Sequence, residues 1–86
     1  LTRSMAVAWG PEGIRVNAVA PGWVMTRMAI GAKNDPERGP KITARIPLGR
    51  WAEPSDIANV IAFLVSEEAA YVHGVVLPVD GGYSIA

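Results

Sequence analysis

The sequence has 86 residues, of which eight are Lys or Arg and eight are Asp or Glu, and it contains no cysteine. A net charge of zero excludes the broad basic surface that binding to nucleic acid or to an anionic membrane requires. The absence of cysteine excludes disulfides, thiolate catalysis and zinc–thiolate sites and fits a reducing compartment, so we expect a cytoplasmic protein.

The chain is short for so apolar a composition. Half of its residues are hydrophobic, yet folding at this length buries only about 60 to 65% of the unfolded surface. The chain begins at Leu1 and shows no secretory leader, and its longest nearly apolar run, 57–65, is far short of the roughly 20 residues of a membrane span. We therefore expect part of a larger protein that does not cross a membrane.

The first third of the chain predicts a helix followed by a strand. Residues 1–9 place apolar side chains at helical spacing, and Gly10 and Pro11 are a helix stop signal. Residues 14–20 are rich in β-branched side chains and end at Pro21-Gly22, which is typical of a strand buried on both faces.

Residues 23–52, named the lid segment here, differ from the rest because glycines and prolines interrupt them repeatedly. A loop of this length in a compact domain usually serves as a lid or a binding segment. Within it, short helical turns are predicted at 25–30 and 41–46.

The last third predicts a second helix and a second strand. Pro54 suits the first position of a helix over 54–66, and Asp56 places a negative charge at its positive end. Residues 74–79 read as another buried strand, which would lie parallel to 14–20 after a right-handed crossover. Two parallel strands cannot stand alone, so further strands must cover them.

The segment that follows the first strand is the strongest candidate for a ligand site. Ligands of open parallel sheets bind beyond the carboxyl ends of the strands. Pro21 turns the chain there, Gly22 permits a close approach of backbone to a ligand, and the Thr26 hydroxyl with nearby amides could meet a carboxamide. The Pro-Gly pair by itself is equally typical of a simple turn.

Five separated blocks of sequence resemble one family. They are Arg15-Val16-Asn17-Ala18-Val19-Ala20-Pro21-Gly22 with Val24 and Thr26, then Ile46-Pro47-Leu48-Gly49-Arg50, Glu53-Pro54 with Ile57-Ala58, Phe63-Leu64, and Val79-Asp80-Gly81-Gly82. In this order they resemble the C-terminal third of the short-chain dehydrogenase/reductase family. The resemblance implies an α/β fold in which residues 1–86 form the C-terminal segment of a Rossmann-like, doubly wound parallel sheet, with its last two strands and flanking helices, and no autonomous domain.

The resemblance also implies roles for named residues. The backbone of Val24 would hold the nicotinamide carboxamide of NAD or NADP, Thr26 would bond the same region, and Pro21 and Gly22 would shape the approach. Trp23, Met25 and Met28 would face the substrate, although packing in a core is the alternative for these apolar side chains.

Several groups that such an enzyme needs are absent from these residues. No glycine-rich phosphate loop follows a strand, and neither Tyr71 nor Tyr83 is followed by a lysine one helical turn later. We therefore assign no catalytic residue and no metal ligand. His73, which replaces the threonine common at this position in the family, is interpreted as a hydrogen-bonded structural residue.

We expect the parent protein to transfer hydride between NAD or NADP and a small alcohol or carbonyl substrate. Sugars or polyols, 3-oxoacyl thioesters and steroid-like alcohols all remain open, and the 86 residues alone should be inactive. The resemblance implies a homo-oligomer that associates through 54–65 and 75–86. The alternative is a non-catalytic α/β binding or assembly module.

Overall fold

A computed structural model describes all of residues 1–86 and contains four α-helices and two β-strands. In chain order they are α1 (Thr2–Trp9), β1 (Ala18–Pro21), α2 (Ile30–Asn34), α3 (Arg38–Ala44), α4 (Pro54–Leu64) and β2 (Val76–Val79). Short 3₁₀ turns occupy Gly10–Glu12, Glu67–Ala69 and Tyr83–Ile85. No helix is long and apolar enough to cross a membrane.

The two strands pair in parallel, as the order of elements predicts. Ala18 lies opposite Val76 and Pro21 opposite Val79. Strand β1 begins four residues later than expected, at Ala18. Before it, Gly74 N donates to Val16 O (2.8 Å), and the side chain of Asn17 donates to Val72 O (3.0 Å) and accepts from Val75 N (3.1 Å). Strand β2 begins two residues later than expected, after Gly74, whose φ of +73° is left-handed and not extended.

Helix α4 starts at Pro54, as expected, and ends at Leu64, two residues early. The Arg15 guanidinium donates to the carbonyl oxygens of Leu64 (2.8 Å) and Ser66 (3.3 Å). The Leu64 carbonyl is at the last residue of α4, where no intrahelical donor remains, and Ser66 lies two residues beyond the helix. A cation at the C-terminal end of a helix also interacts favourably with the negative end of the helix dipole. Arg15 therefore stabilises the end of α4 and connects it to the segment before β1.

The lid segment contains two short helices that overlap the predicted turns but are shifted from them: α2 begins at the last residue of 25–30, and α3 covers residues 41–44 of 41–46. The carbonyl of Thr26 accepts the N–H groups of Ala29 (3.1 Å) and Ile30 (3.0 Å), so a hydrogen-bonded turn within 25–30 leads into α2 at residue 30. The Asp35 carboxylate accepts the N–H groups of Glu37 (2.9 Å) and Arg38 (2.8 Å) and so begins α3 three residues earlier than the predicted 41. Side-chain bonds to these free N–H groups set the boundary of α3.

The chain buries little of its own apolar surface. Only 6 of 86 residues are buried, among them Ile46, Trp51 and Leu64, while Val7, Leu48 and Val65 are more than 70% exposed. The radius of gyration is 15.6 Å, against about 12 Å for a compact domain of this length. The molecule is therefore elongated, with dimensions of 51 × 21 × 20 Å, and it exposes many apolar side chains.

Candidate cofactor and substrate site

The candidate site begins where the two strands end, at the same edge of the sheet. Gly22 N donates to Val79 O (3.1 Å), so the pairing of β1 with β2 continues one residue beyond β1. A Cβ atom on Gly22 would lie 2.7 Å from Asp80 Cβ and 2.9 Å from its Cα. Gly22 is thus required by the close approach of the two loops to each other.

Val24 forms an isolated parallel bridge with Ala52. Ala52 N donates to Trp23 O (2.9 Å), and Met25 N donates to Ala52 O (2.8 Å). In this geometry the N–H and C=O of Val24 itself point away from Ala52. The Val24 N–H donates to no protein atom, and its carbonyl accepts only Thr26 N (2.8 Å).

The Thr26 hydroxyl belongs to the same loop, two residues after Val24. Its oxygen accepts a hydrogen bond from Ala29 N (3.3 Å). The hydroxyl hydrogen has no acceptor in the protein, and a hydroxyl donates one bond while accepting up to two. The loop therefore offers a backbone donor, a backbone acceptor and a hydroxyl donor close together, the set that a primary carboxamide can satisfy.

The other predicted site residues lie in different surroundings. Pro21 is exposed at the end of β1, and Trp23 and Met25 are half-buried. Met28 is 97% exposed. The structure thus gathers Trp23, Val24 and Met25 along the edge bound to Ala52, whereas Met28 stands apart from them.

An aromatic cluster that sequence reasoning missed supports this edge. The Trp23 ring lies 5.2 Å from that of Trp51 and 6.5 Å from that of Tyr83, the latter edge-on. Trp51 is 4% exposed, and its indole N–H donates to Thr43 Oγ1 (2.9 Å). The guanidinium of Arg45 lies over the Tyr83 ring at 5.0 Å. Helix α3 is thereby attached to the loop after β1 and to the C-terminal turn.

Two half-buried carboxyl groups near this edge have lowered pKa values. The Ser84 side chain, followed by the backbone N–H groups of Gly82 and Ser84, holds the pKa of Asp80 below its ordinary value. The Arg50 guanidinium, followed by the N–H of Glu53, lowers the pKa of Asp56. Because the pKa of each carboxyl is lowered, both are weak bases, and we do not assign either as a proton acceptor.

His73 forms hydrogen bonds with two segments that lie outside this candidate site. Its Nδ1 accepts from Val16 N (3.3 Å), and its Nε2 lies 2.7 Å from the Ala6 carbonyl, to which it donates when protonated. The ring thus connects α1 with the segment before β1. Its interpretation as a hydrogen-bonded structural residue is confirmed.

Two parallel strands joined by a crossover that contains helices, with a candidate loop at their carboxyl ends, are the arrangement found in a Rossmann-like sheet. Residues 1–84 match the family model described as enoyl-(acyl carrier protein) reductase, and the chain belongs to this short-chain dehydrogenase/reductase family.

Proteins that this chain resembles act on small hydroxylated compounds. It is 46% identical over 99% of its length to galactitol 2-dehydrogenase (L-tagatose-forming) of Cereibacter sphaeroides, and covers 34% of that protein. It is 43% identical over 96% of its length to 2-dehydro-3-deoxy-D-gluconate 5-dehydrogenase of Bacillus subtilis, and covers 33% of it.

A solved structure of a proposed 2-deoxy-D-gluconate 3-dehydrogenase from Agrobacterium tumefaciens, with bound NADP, has the same fold over this region. It superposes with a TM-score of 0.95 and 44% identity over 99% of this chain and 35% of that one. The chain thus spans about a third of the length of its relatives. The family and the Rossmann-like fold expected from the sequence are confirmed.

Proposed function

We propose that the protein containing this chain is an NAD(P)-dependent oxidoreductase of small sugar or polyol substrates, working in the cytoplasm. In this proposal residues 1–86 supply the nicotinamide end of the cofactor site and the lid over the substrate. When bound, the cofactor supplies the chemistry, because its nicotinamide accepts a hydride from an alcohol carbon or returns one to a carbonyl carbon. The hydroxyl proton leaves to a base that we do not assign among these residues.

The backbone edge of Val24 is the observation that carries the proposal. Its N–H has no protein partner, and its C=O has a second lone pair available. A carboxamide oxygen would accept from this N–H, and the carboxamide NH₂ would donate to this C=O. The Thr26 hydroxyl would add a further donor, while Pro21 and Gly22 set the course of the chain toward this edge.

The lid side of the proposal assigns Trp23, Met25 and Met28 to the substrate. The half-buried Trp23 is held by the rings of Trp51 and Tyr83, so it presents a rigid apolar surface. Met25 is adjacent to the Val24 edge and would lie near the reacting carbon. Met28, which is exposed, would contact substrate only from the outer part of the lid.

Cofactor titration of the full-length protein tests the role of Val24 and Thr26. We expect NADH or NADPH to bind and Thr26→Val to weaken binding about 10-fold through loss of a hydrogen bond, whereas Thr26→Ser retains it. Thr2→Val on α1, far along the chain from this loop, is the matched control and should bind like the unchanged protein. Absence of cofactor binding together with absence of turnover would favour the non-catalytic module instead.

We also propose self-association through 54–65 and 75–86. Phe63 (45%), Val65 (74%) and Ile85 (88%) are apolar side chains exposed within these ranges, and contiguous exposed apolar surface marks interaction sites.

A further inference from the structure

The lid segment has a net positive charge, and the rest of the chain has a net negative charge of equal size. Residues 23–52 contain six basic and two acidic side chains, whereas the remainder contains two basic and six acidic ones. A chain that is neutral as a whole therefore has a strongly positive segment over its candidate substrate site. Such a field raises the local concentration of negatively charged molecules.

Most of this positive charge is not paired with a carboxylate of these 86 residues. The single ion pair of the chain joins Arg50 to Asp56 at 2.8 Å. The other basic lid residues, Arg27, Lys33, Arg38, Lys41 and Arg45, have no carboxylate within 4.0 Å. Asp35, one of the two lid acids, has its carboxylate engaged by the N–H groups at the start of α3.

One of the free cations lies in a groove beside the candidate loop. The groove has a volume of about 440 Å³ and is lined by Met25, Lys33, Thr43, Arg50 and Glu53, together with Gly49 and Trp51. This volume suits a small molecule. Arg50 is already paired, so Lys33 is the unpaired cation of the lining.

On the basis of the function proposed above, we propose that the lid selects small anionic substrates and that Lys33 pairs with the carboxylate of a hydroxy acid in this groove. Lysine is a flexible point charge and can follow such a carboxylate. Glu53 lines the same groove and repels a bare anion, but its carboxylate accepts hydrogen bonds from hydroxyl groups. A molecule with a carboxylate at one end and hydroxyls along its length satisfies both side chains.

Matched substrates test the inference in the full-length protein. We would measure oxidation by NAD⁺ and NADP⁺ of D-gluconate against D-glucitol, D-galactonate against galactitol, and D-xylonate against xylitol. In each reaction the alcohol carbon loses a hydride to the cofactor and its hydroxyl loses a proton, which leaves a ketone. We expect a kcat/KM at least ~10-fold higher for an acid than for its polyol, decreasing as salt is added.

Variants that remove one positive charge test whether Lys33 causes the preference for acids over polyols. Lys33→Gln should raise KM for the acid about 10-fold with little change in kcat and leave the polyol unaffected, which indicates loss of uniform binding. Lys41→Gln on α3 removes the same charge outside the groove and should have a much smaller effect.

Equal kcat/KM for acids and polyols, or equal effects of the two variants, would overturn the inference while leaving the proposed function intact. Turnover of 3-oxoacyl thioesters alone, or cofactor binding without turnover of any pair, would overturn it as well. Failure to bind either cofactor, with no turnover, would contradict the proposed function itself.

Discussion

Gly22 and Asp80 illustrate how single residues bring the two strand ends together. Sequence reasoning assigns Gly22 to the approach of a ligand, and the structure adds a close contact of Gly22 with the Asp80 backbone. That Gly22 needs to be a glycine could be predicted from the Pro-Gly pair. The contact behind it could not, since Asp80 is distant in the chain.

Substitution of Gly22 by alanine should destabilise the protein. The added Cβ would lie 2.7 Å from Asp80 Cβ, and overpacking of this kind costs about 1–3 kcal/mol. Urea unfolding of the full-length protein measures the change. Gly31→Ala is the control, because a Cβ there meets nothing within 4 Å and alanine favours α2. Equal losses in the two variants would contradict the steric explanation.

At the scale of single elements, the start of α4 follows from local signals. Pro54 is suited to the first helical position, and the Asp56 carboxylate accepts from Glu53 N (2.8 Å) one turn earlier. The partner Arg50 lies outside the helix, at the end of the lid segment, and its charge lowers the pKa of Asp56 further. Helix and lid therefore share one exposed ion pair.

Stability should decrease in acid partly because of this pair. The pKa of Asp56 is lower in the folded than in the unfolded state, so its contribution is fully present above about pH 4 and disappears as the pH falls through the folded value. Asp35 and Asp80 contribute with the same sign.

Urea unfolding of the full-length protein at pH 7, 4 and 3 should give a smaller decrease for Asp56→Asn than for the unchanged protein. Glu67→Gln, at an exposed residue with no ion pair, is the control and should retain the full decrease. The same pH dependence in Asp56→Asn and in the unchanged protein would rule out this role of Asp56.

The bounds of the two lid helices could not be predicted from the local sequence. These helices begin where Thr26 and Asp35 bond the free N–H groups, and α3 is held in place by the bond from Trp51 to Thr43. Glycines and prolines predict an interrupted segment but carry no information about these partners. A tryptophan within the lid gives no sequence signal of burial, since Trp51 becomes core only through Trp23 and Thr43.

At the scale of the whole molecule, the chain has more apolar residues than it can bury by itself. Two strands and their helices leave side chains such as Val7 (79%) and Ile14 (48%) exposed, and the chain matches about a third of its relatives' length. These faces are suited to pack against the remaining strands and helices of a Rossmann-type sheet.

The 86-residue chain expressed alone should therefore bind the apolar dye ANS strongly and unfold over a broad range of urea. Exposed apolar surface and loose tertiary packing have this signature. Fluorescence of the three tryptophans on addition of NADH should change little, and no carbonyl compound should be turned over. The full-length protein is the control, with weak dye binding and a sharp transition. A sharp transition of the isolated chain would contradict the expectation.

The sequence by itself determined the order of helices and strands, the parallel pairing and the family, because these depend on local periodicity, on glycine and proline, and on motifs read in chain order. Only the tertiary structure decided the Trp23–Trp51–Tyr83 cluster, the Gly22–Asp80 approach and the free backbone edge of Val24. The physical reason is separation along the chain: these contacts join residues that are far apart in the sequence, and no local pattern carries information about such partners.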